Sequence, residues 1–360
     1  MSVLSEENIN VQKLKKYLFV LLFSAVASAV NAQAVAVDSL NGDSVASTEV
    51  RQGLLKRLNQ KVTNSYYKLK YDTNYVVRPK EKWLVRLLGN YAGNRIHAKG
   101  TVNAVYSRYD LHTRRNTSIG LEVNYCDLAA SLTLNPDKMS GTYDDYELNL
   151  EYHGNRFSAD FNYLRSTSLS GDIRLGDIDH LDENGLRMNV VNVAGYYIFN
   201  YRKFSYSAAL FQNYYQQRSA GSWLAGASFQ GGSIKTTDEL KARSPLAPEV
   251  HLTFVNVALG GGYGYNLVLG RKSQWLFHLS ALPTVVVYKH NKLTVNDNDK
   301  RDHGLCLNMI FNERAAIVYH FTPRYNCGAT IMMSNSIFDN DKVTVNQNKW
   351  LARAFVGVRF

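Results

Sequence analysis

The stretch Gln216-Gln217-Arg218-Ser219-Ala220-Gly221-Ser222 comes nearest in this chain to residue types suited to covalent chemistry. Two hydroxyls, Ser219 and Ser222, flanked by small residues would suit a serine nucleophile at an exposed rim, acting on lipid by hydrolysis or acyl transfer. Such a nucleophile needs a base to take its proton. No Gly-x-Ser-x-Gly elbow is present, and no histidine lies near the pair in sequence. The two serines therefore belong to an alternative, enzymatic reading.

Charged side chains form a second constellation. Glu122, Asp145, Glu147, Glu151 and Asp160 fall in the first half of the chain, and Arg187, Arg314, Arg353 and Arg359 in the second. All are assigned to a polar, lumen-facing side. There they would either neutralise one another as ion pairs or set a transverse field acting on a permeating ion or polar solute.

Neither a cofactor nor a metal is expected. Gly260-Gly261-Gly262-Tyr263-Gly264 lies inside an alternating strand rather than between a strand and a helix, so it lacks the context of a dinucleotide fingerprint. Its glycines are expected to let a curved wall bend or a plug approach. Asp297-Asn298-Asp299 and Asp339-Asn340-Asp341 do not match the calcium-loop spacing. The histidines show no HExxH pattern, and Cys126, Cys306 and Cys327 have no zinc spacing. A net charge of +11 without a basic run argues against nucleic acid. The cations are expected to meet lipid phosphates, with outer-membrane lipids and lipopolysaccharide as partners.

The elements that must position these groups begin after an export leader. Lys13, Lys15 and Lys16 precede an apolar run from Tyr17 to Val30, which closes on Val30-Asn31-Ala32. This is the pattern of a secretory signal peptide over residues 1–32, and the run is shorter than the roughly 20 residues of a membrane-spanning helix. Residues 33–82 read as a periplasmic leader. Within it Val50, Leu54, Leu58 and Val62 recur every fourth residue, predicting one amphipathic helix over 49–64.

From Trp83 to Phe360 the period changes to two. Tyr146, Leu148, Leu150 and Tyr152 alternate with Asp145, Glu147, Asn149 and Glu151, and a similar pattern runs through Ile119–Tyr125 and Phe157–Leu164. In the last stretch Trp350, Ala352, Ala354, Val356, Val358 and Phe360 share one face. Its length, about 25 Å along the membrane normal when tilted, fits the apolar band of an outer-membrane barrel. Tyr146, Tyr152, Trp350 and Phe360 are assigned to the membrane interfaces. The closing aromatic, Phe360, resembles the signal read by barrel-assembly machinery, a further expected partner.

Candidate strands fall at 83–91, 117–126, 128–135, 143–153, 156–167, 186–198, 203–217, 251–267, 273–289, 303–319, 323–335 and 349–360, alternating short and long connections. The prediction is all-β: a transmembrane up-and-down antiparallel β-barrel over 83–360 of about 12 strands, or 14 if 95–108 and 219–232 also cross. A narrow channel or structural surface protein of the bacterial outer membrane is the leading functional expectation. A lipid-modifying rim enzyme and a soluble periplasmic β-sandwich are the alternatives.

Tyr71-Asp72-Thr73-Asn74-Tyr75, the Trp83 strand, Tyr125-Cys126-Asp127-Leu128 and Gln217–Ser222 resemble the domain-of-unknown-function family 4421 of Bacteroidota-type Gram-negative bacteria, over about residues 65–360. That resemblance implies an outer-membrane barrel, and it brings no activity and no catalytic residues.

Overall fold

The computed structural model describes residues 56, 57, 59, 60, 63, 64, 67, 68 and 71–360, except 103–104, 114–115, 127, 135–145, 176–177, 246–248, 271, 296–297, 303–307 and 341–342. The expected leader and much of the expected 49–64 helix lie outside the described residues. Residues 56, 57, 59, 60, 63, 64 and 67 are helical, and the Thr63 hydroxyl donates to the Asn59 carbonyl at 2.6 Å. The chain divides into two units, Met1–Lys68 and Leu69–Phe360, and the second carries the described strands.

After β1 (Val76–Val77) the chain forms β2 (Trp83–Val102), β3 (Val105–Thr113), β4 (Asn116–Tyr125), β5 (Leu128–Leu134), β6 (Tyr146–His153) and β7 (Phe157–Ser166). Next come β8 (Leu169–Leu175), β9 (Ile178–Leu181) and β10 (Leu186–Ile198). A short helix, α1 (Tyr206–Leu210), and β11 (Tyr215–Gln216) precede β12 (Ala220–Thr236) and a second helix, α2 (Asp238–Arg243). The chain ends with β13 (Val250–Leu269), β14 (Trp275–Val295), β15 (Asn298–Asp302), β16 (Met309–His320), β17 (Tyr325–Asn340) and β18 (Val343–Arg359).

Antiparallel pairing runs β2–β4–β5–β6–β7–β10–β12–β13–β14–β16–β17–β18. It closes where β18 returns to β2, from Val343 opposite Gly100 to Arg359 opposite Leu84. These twelve strands run round one antiparallel wall, in which β5 and β6 pair at Leu128 and Tyr152. A β-sandwich, with two facing sheets, is not what forms.

The strand number agrees with expectation, but one member does not. Residues 203–217 are not a strand: they hold α1 and β11, folded inward at the end where Trp83 and Phe360 pair. The wall strand in this place is β12, within the stretch read as a loop. Phe204 to Tyr214 are buried on every side, so their aromatic and apolar types carry no period that separates a short helix from a strand. β12 is rich in Gly, Ala and Ser, which weakens both its alternation and its strand propensity.

Residues 95–108 add no wall strand either. They extend β2 past the far rim and turn into β3, which lies back on Arg95–Val102. β8 pairs with β3 and β9 with β8, while β15 pairs with the end of β14. Leu111, Leu169, Ile173 and Leu181 form a small core of this projection, packed with Ile96, Tyr109, Leu186 and Leu240.

Side-chain alternation divides the wall as the pleat requires. Leu87, Ile119, Leu121, Leu150, Leu279 and Val356 face outward and are more than half exposed, Leu279 reaching 69%. Arg86, Asn90, Ser118, Glu122, Asn124, Ser158, Thr330 and Arg353 face inward and are buried. The polarity of a soluble protein is inverted.

Candidate functional site in the barrel lumen

α1 and its flanks form the floor of the lumen. The Ser205 hydroxyl caps the helix, accepting from the Ala208 amide at 3.1 Å. Ser207, Ala208 and Ala209 are fully enclosed; small side chains are what let a helical turn fit inside a barrel of this girth. The helix ends at Phe211, and Gln212 turns the chain with a positive φ of 55°. The Gln212 amide donates back to the Ala209 carbonyl at 2.9 Å.

The wall holds this turn from several directions. The Arg86 guanidinium donates to the Leu210 carbonyl at 3.2 Å and to Gln212 Oε1, while Arg359 donates to the Gln212 carbonyl. Asn266 Nδ2 donates to the Ser205 carbonyl at 2.9 Å and to Gln216 Oε1 at 3.0 Å. The Tyr206 hydroxyl lies 2.9 Å from Ser280 Oγ, which also bonds the His278 ring at 3.0 Å. Beneath the floor, β1 pairs with β11, and the Tyr71 and Tyr214 rings lie 4.9 Å apart.

Two glycines of β13 mark close approaches in the facing wall. At Gly264 a Cβ would stand 3.1 Å from the Phe204 ring. At Gly262 a Cβ would meet the Ala281 carbonyl of the next strand at 2.0 Å. The glycine run thus admits the plug at one position and a close backbone approach at another.

Charge is concentrated at two levels of the lumen. At the floor, Arg86 Nε donates to Glu122 Oε1 at 2.9 Å, Arg353 Nη1 lies 3.8 Å from Glu122 Oε2, and the Arg86 guanidinium sits 5.0 Å from the Phe355 ring centre. Above it, Arg314 forms an ion pair with Asp160 and donates to the Tyr196 hydroxyl at 3.1 Å, between the Tyr196 and Tyr206 rings. Lys349 Nζ, higher still, donates to Asn162 Oδ1 at 2.8 Å. Both β16–β7 and β18–β7 are far apart around the wall, so these contacts cross the lumen.

Above the Arg314 level is a cavity of about 250 Å³ lined by Asn94, Asn162, Asn192, Ser228, Asn312 and Ser334 among others. Glu151 and Asp160 supply its carboxylates, Arg314 and Lys349 its cations, and Met188, Val190 and Met332 its apolar portion. Among the described residues no three His, Cys, Asp or Glu converge as a metal site.

The structure gathers Glu122, Arg353 and Arg359 around the floor, and Glu151, Asp160 and Arg314 around the cavity. Asp145 lies outside the described residues, as do the side chains of Tyr146 and Glu147. Arg187 is a correction: it is exposed on the outer face, because Met188 and Val190 point inward on β10. Apolar residues occupy the lumen side there, so polarity alone assigns the wrong phase. Arg86 was missed for the complementary reason, being a lone cation between Val85 and Leu87. The signal that finds it is its register opposite Glu122.

Ser219 and Ser222 are committed to backbone. Ser219 Oγ accepts from the Val268 amide at 2.9 Å, and Ser222 Oγ accepts from the Asn200 amide at 2.9 Å while donating to the Trp223 carbonyl at 2.7 Å. Cys327 is a free thiol, Cys126 is buried, and Cys306 lies outside the described residues.

On the outside, Tyr152, Phe157, Phe199, Trp223, Trp275, Phe321, Tyr325 and Phe360 are exposed around the short-turn end, a girdle of which the sequence pattern picks out Tyr152 and Phe360. Trp275 and Tyr319 rings lie 4.5 Å apart, and Phe157 and Tyr197 rings 5.2 Å. Tyr152 is exposed on the outer face, and Trp350 is half-buried over Gly93. Toward the other end, Arg187, Lys235 and His251 stand directly opposite one another on β10, β12 and β13. On the projection beyond the rim, Arg95 grips Asp110 with two bonds, at 2.9 and 2.7 Å, and this holds the carboxyl below its ordinary pKa.

Residues 70–360 match the model of a family described as Domain of unknown function (DUF4421). No curated protein matches the chain. Among solved structures, the outer membrane protease OmpT from Escherichia coli is similar at 7% identity, covering 82% of this chain and 100% of that one, with a TM-score of 0.34. The translocator domain of the autotransporter NalP from Neisseria meningitidis is similar at 9% identity over 87% of this chain and 97% of that one, TM-score 0.30. The outer membrane protein OprG from Pseudomonas aeruginosa is similar at 9% identity over 79% and 98%, TM-score 0.28.

Proposed function

The chain belongs to the DUF4421 family, and we propose that it is a bacterial outer-membrane β-barrel serving as a sealed surface protein rather than an open channel. The observation that carries this reading is the inverted wall: Leu87, Ile119, Leu279 and Val356 exposed outside, with Arg86, Glu122 and Arg353 enclosed. Burying that outer surface in lipid gains about 25 cal/mol for each Å², and the return of β18 to β2 pairs the backbone of the first and last wall strands, as hydrocarbon requires. The aromatic girdle fits one membrane interface. By the usual arrangement of such barrels, the short turns and α1 face the periplasm, and the β3–β8–β9 projection faces outward.

Sealing rests on α1 and on the Arg314–Asp160 contact, which block the lumen at successive levels. The lipid partner is lipopolysaccharide. Arg187, Lys235 and His251 are cross-strand neighbours on the outer face, six residues past Val193 and Phe229 on their own strands. Arg187 and Lys235, directly opposite one another, repel unless an anion lies between them, and lipid phosphates supply it. Insertion would use the barrel-assembly machinery, reading β18.

The test is to express the protein with its leader, fractionate the envelope, and reconstitute the purified chain in planar bilayers. The reading expects outer-membrane fractionation, faster gel mobility unboiled than boiled, and no conductance steps. Recovery as a soluble periplasmic protein, or steady ohmic conductance, overturns it.

A further inference from the structure

The cavity above the Arg314 level has features that a sealed structural barrel does not require. We infer that it is a binding site for a small neutral polyhydroxylated ligand, of the size and chemistry of a single sugar ring; this rests on the lumen being closed beneath it, as proposed above. Its lining carries amide and hydroxyl side chains around the space: Asn94, Asn162, Asn192, Asn312, Ser228 and Ser334. Asn94 and the Arg314 side chain are only 4% and 9% exposed.

The amide NH2 groups and hydroxyls of this lining are donors that match the ring and hydroxyl oxygens of a sugar as acceptors. The guest's own O–H groups then find acceptors in the Glu151 and Asp160 carboxylates and the Asn192 and Asn312 amides. Glu151 and Asp160 are balanced by Arg314 and Lys349, so the cavity favours neither a cation nor an anion. Met188, Val190 and Met332 offer an apolar wall for the C–H face of a sugar ring. At about 250 Å³ the space lies below the 300–1,000 Å³ of pockets for drug-sized ligands, which limits the guest to one ring.

The test is calorimetric titration of the full mature protein in detergent with D-galactose, D-mannose and N-acetyl-D-glucosamine, with D-glucuronate and inorganic phosphate as anionic probes. Saturable binding of at least one neutral sugar is expected. It should weaken at least tenfold in Asn94→Leu and vanish in Ala194→Phe, which fills the cavity without removing a polar group. Both variants are compared only as folded, heat-modifiable barrels. Failure of all neutral sugars, preference for either anion, or binding unchanged in Ala194→Phe overturns the inference. A silent, membrane-inserted barrel that binds no sugar would sink this inference alone, whereas a soluble or conducting protein would sink the reading beneath it.

Discussion

Arg314 of β16 and Asp160 of β7 form an ion pair although β14, β13, β12 and β10 separate their strands around the wall. The contact is a strut through the lumen, and Tyr196 and Tyr206 flank it, so it joins two sides of the barrel to the plug. Asp160→Asn removes the counter-charge and leaves Arg314 with the Tyr196 hydroxyl. Breaking a fully buried pair costs about 3–5 kcal/mol; Asp160 is partly exposed, so a loss of about 2 kcal/mol is expected from urea titration of the vesicle-reconstituted protein.

Arg86 has no such exposure. Arg86→Leu leaves Glu122 enclosed with Arg353 at 3.8 Å, and strips the Leu210 carbonyl and Gln212 of their donor. The expected cost is about 3–5 kcal/mol. Arg86→Lys should rescue little, because an ammonium cannot reproduce the fork that meets Glu122 on one side and the plug on the other. The same urea titration distinguishes the two substitutions; equal stability of Arg86→Lys and wild type would refute the anchoring role.

Blockage at two levels makes conductance a two-key measurement. Replacing residues 206–214 with a Gly/Ser linker removes the floor and leaves the Arg314–Asp160 strut. Asp160→Ala alone removes the strut and leaves the floor. Each alone should remain silent in planar bilayers, and the combination should show discrete steps. Steps from either single change would show that only one level seals.

Gly262→Ala and Gly264→Ala separate two uses of glycine in one strand. At Gly262 the new Cβ would meet a backbone carbonyl at 2.0 Å, which cannot give way without distorting the β13–β14 ladder. At Gly264 it would meet the Phe204 ring at 3.1 Å, where a shift of a few tenths of an ångström suffices. Folding yield into vesicles should fall sharply for Gly262→Ala and only modestly for Gly264→Ala.

The Arg95–Asp110 pair gives the outer projection a pH dependence. Its carboxyl is lowered in the fold by the Arg95 hydrogen bonds, so the unfolded projection binds a proton more readily than the folded one. The contribution is present above the ordinary carboxylate pKa and is lost as pH falls through the folded value. Amide protection factors of β3, taken relative to the intrinsic exchange rate at each pH, should therefore fall on acidification below about pH 4 in wild type, and much less in Asp110→Asn. Arg95 is well exposed, which keeps the effect local.

How much of this was legible in the sequence depends on where side chains alternate cleanly. β4 and β7 carry apolar residues out and polar residues in at their most regular stretches, so period two alone separates their two faces. β10 breaks the rule with Met188 and Val190 inside, and Arg187 was accordingly put on the wrong face. The α1 segment was unreadable as a helix because burial on all sides erases periodicity. The correct strand number arose with β12 standing where 203–217 was expected. The pairing of Arg86 with Glu122 needed register, which short sequence patterns do not fix.

The most direct measurement is collisional accessibility of nitroxide spin labels placed singly at positions 150, 356, 118 and 330 in the reconstituted protein. Leu150 and Val356 face outward, whereas Ser118 and Thr330 face the lumen. Labels at 150 and 356 should collide freely with oxygen dissolved in the bilayer and be shielded from a water-soluble nickel chelate, with labels at 118 and 330 showing no such preference for oxygen. Nickel access at 150 and 356, or shielding of both from either reagent, would contradict a wall whose apolar side chains face lipid.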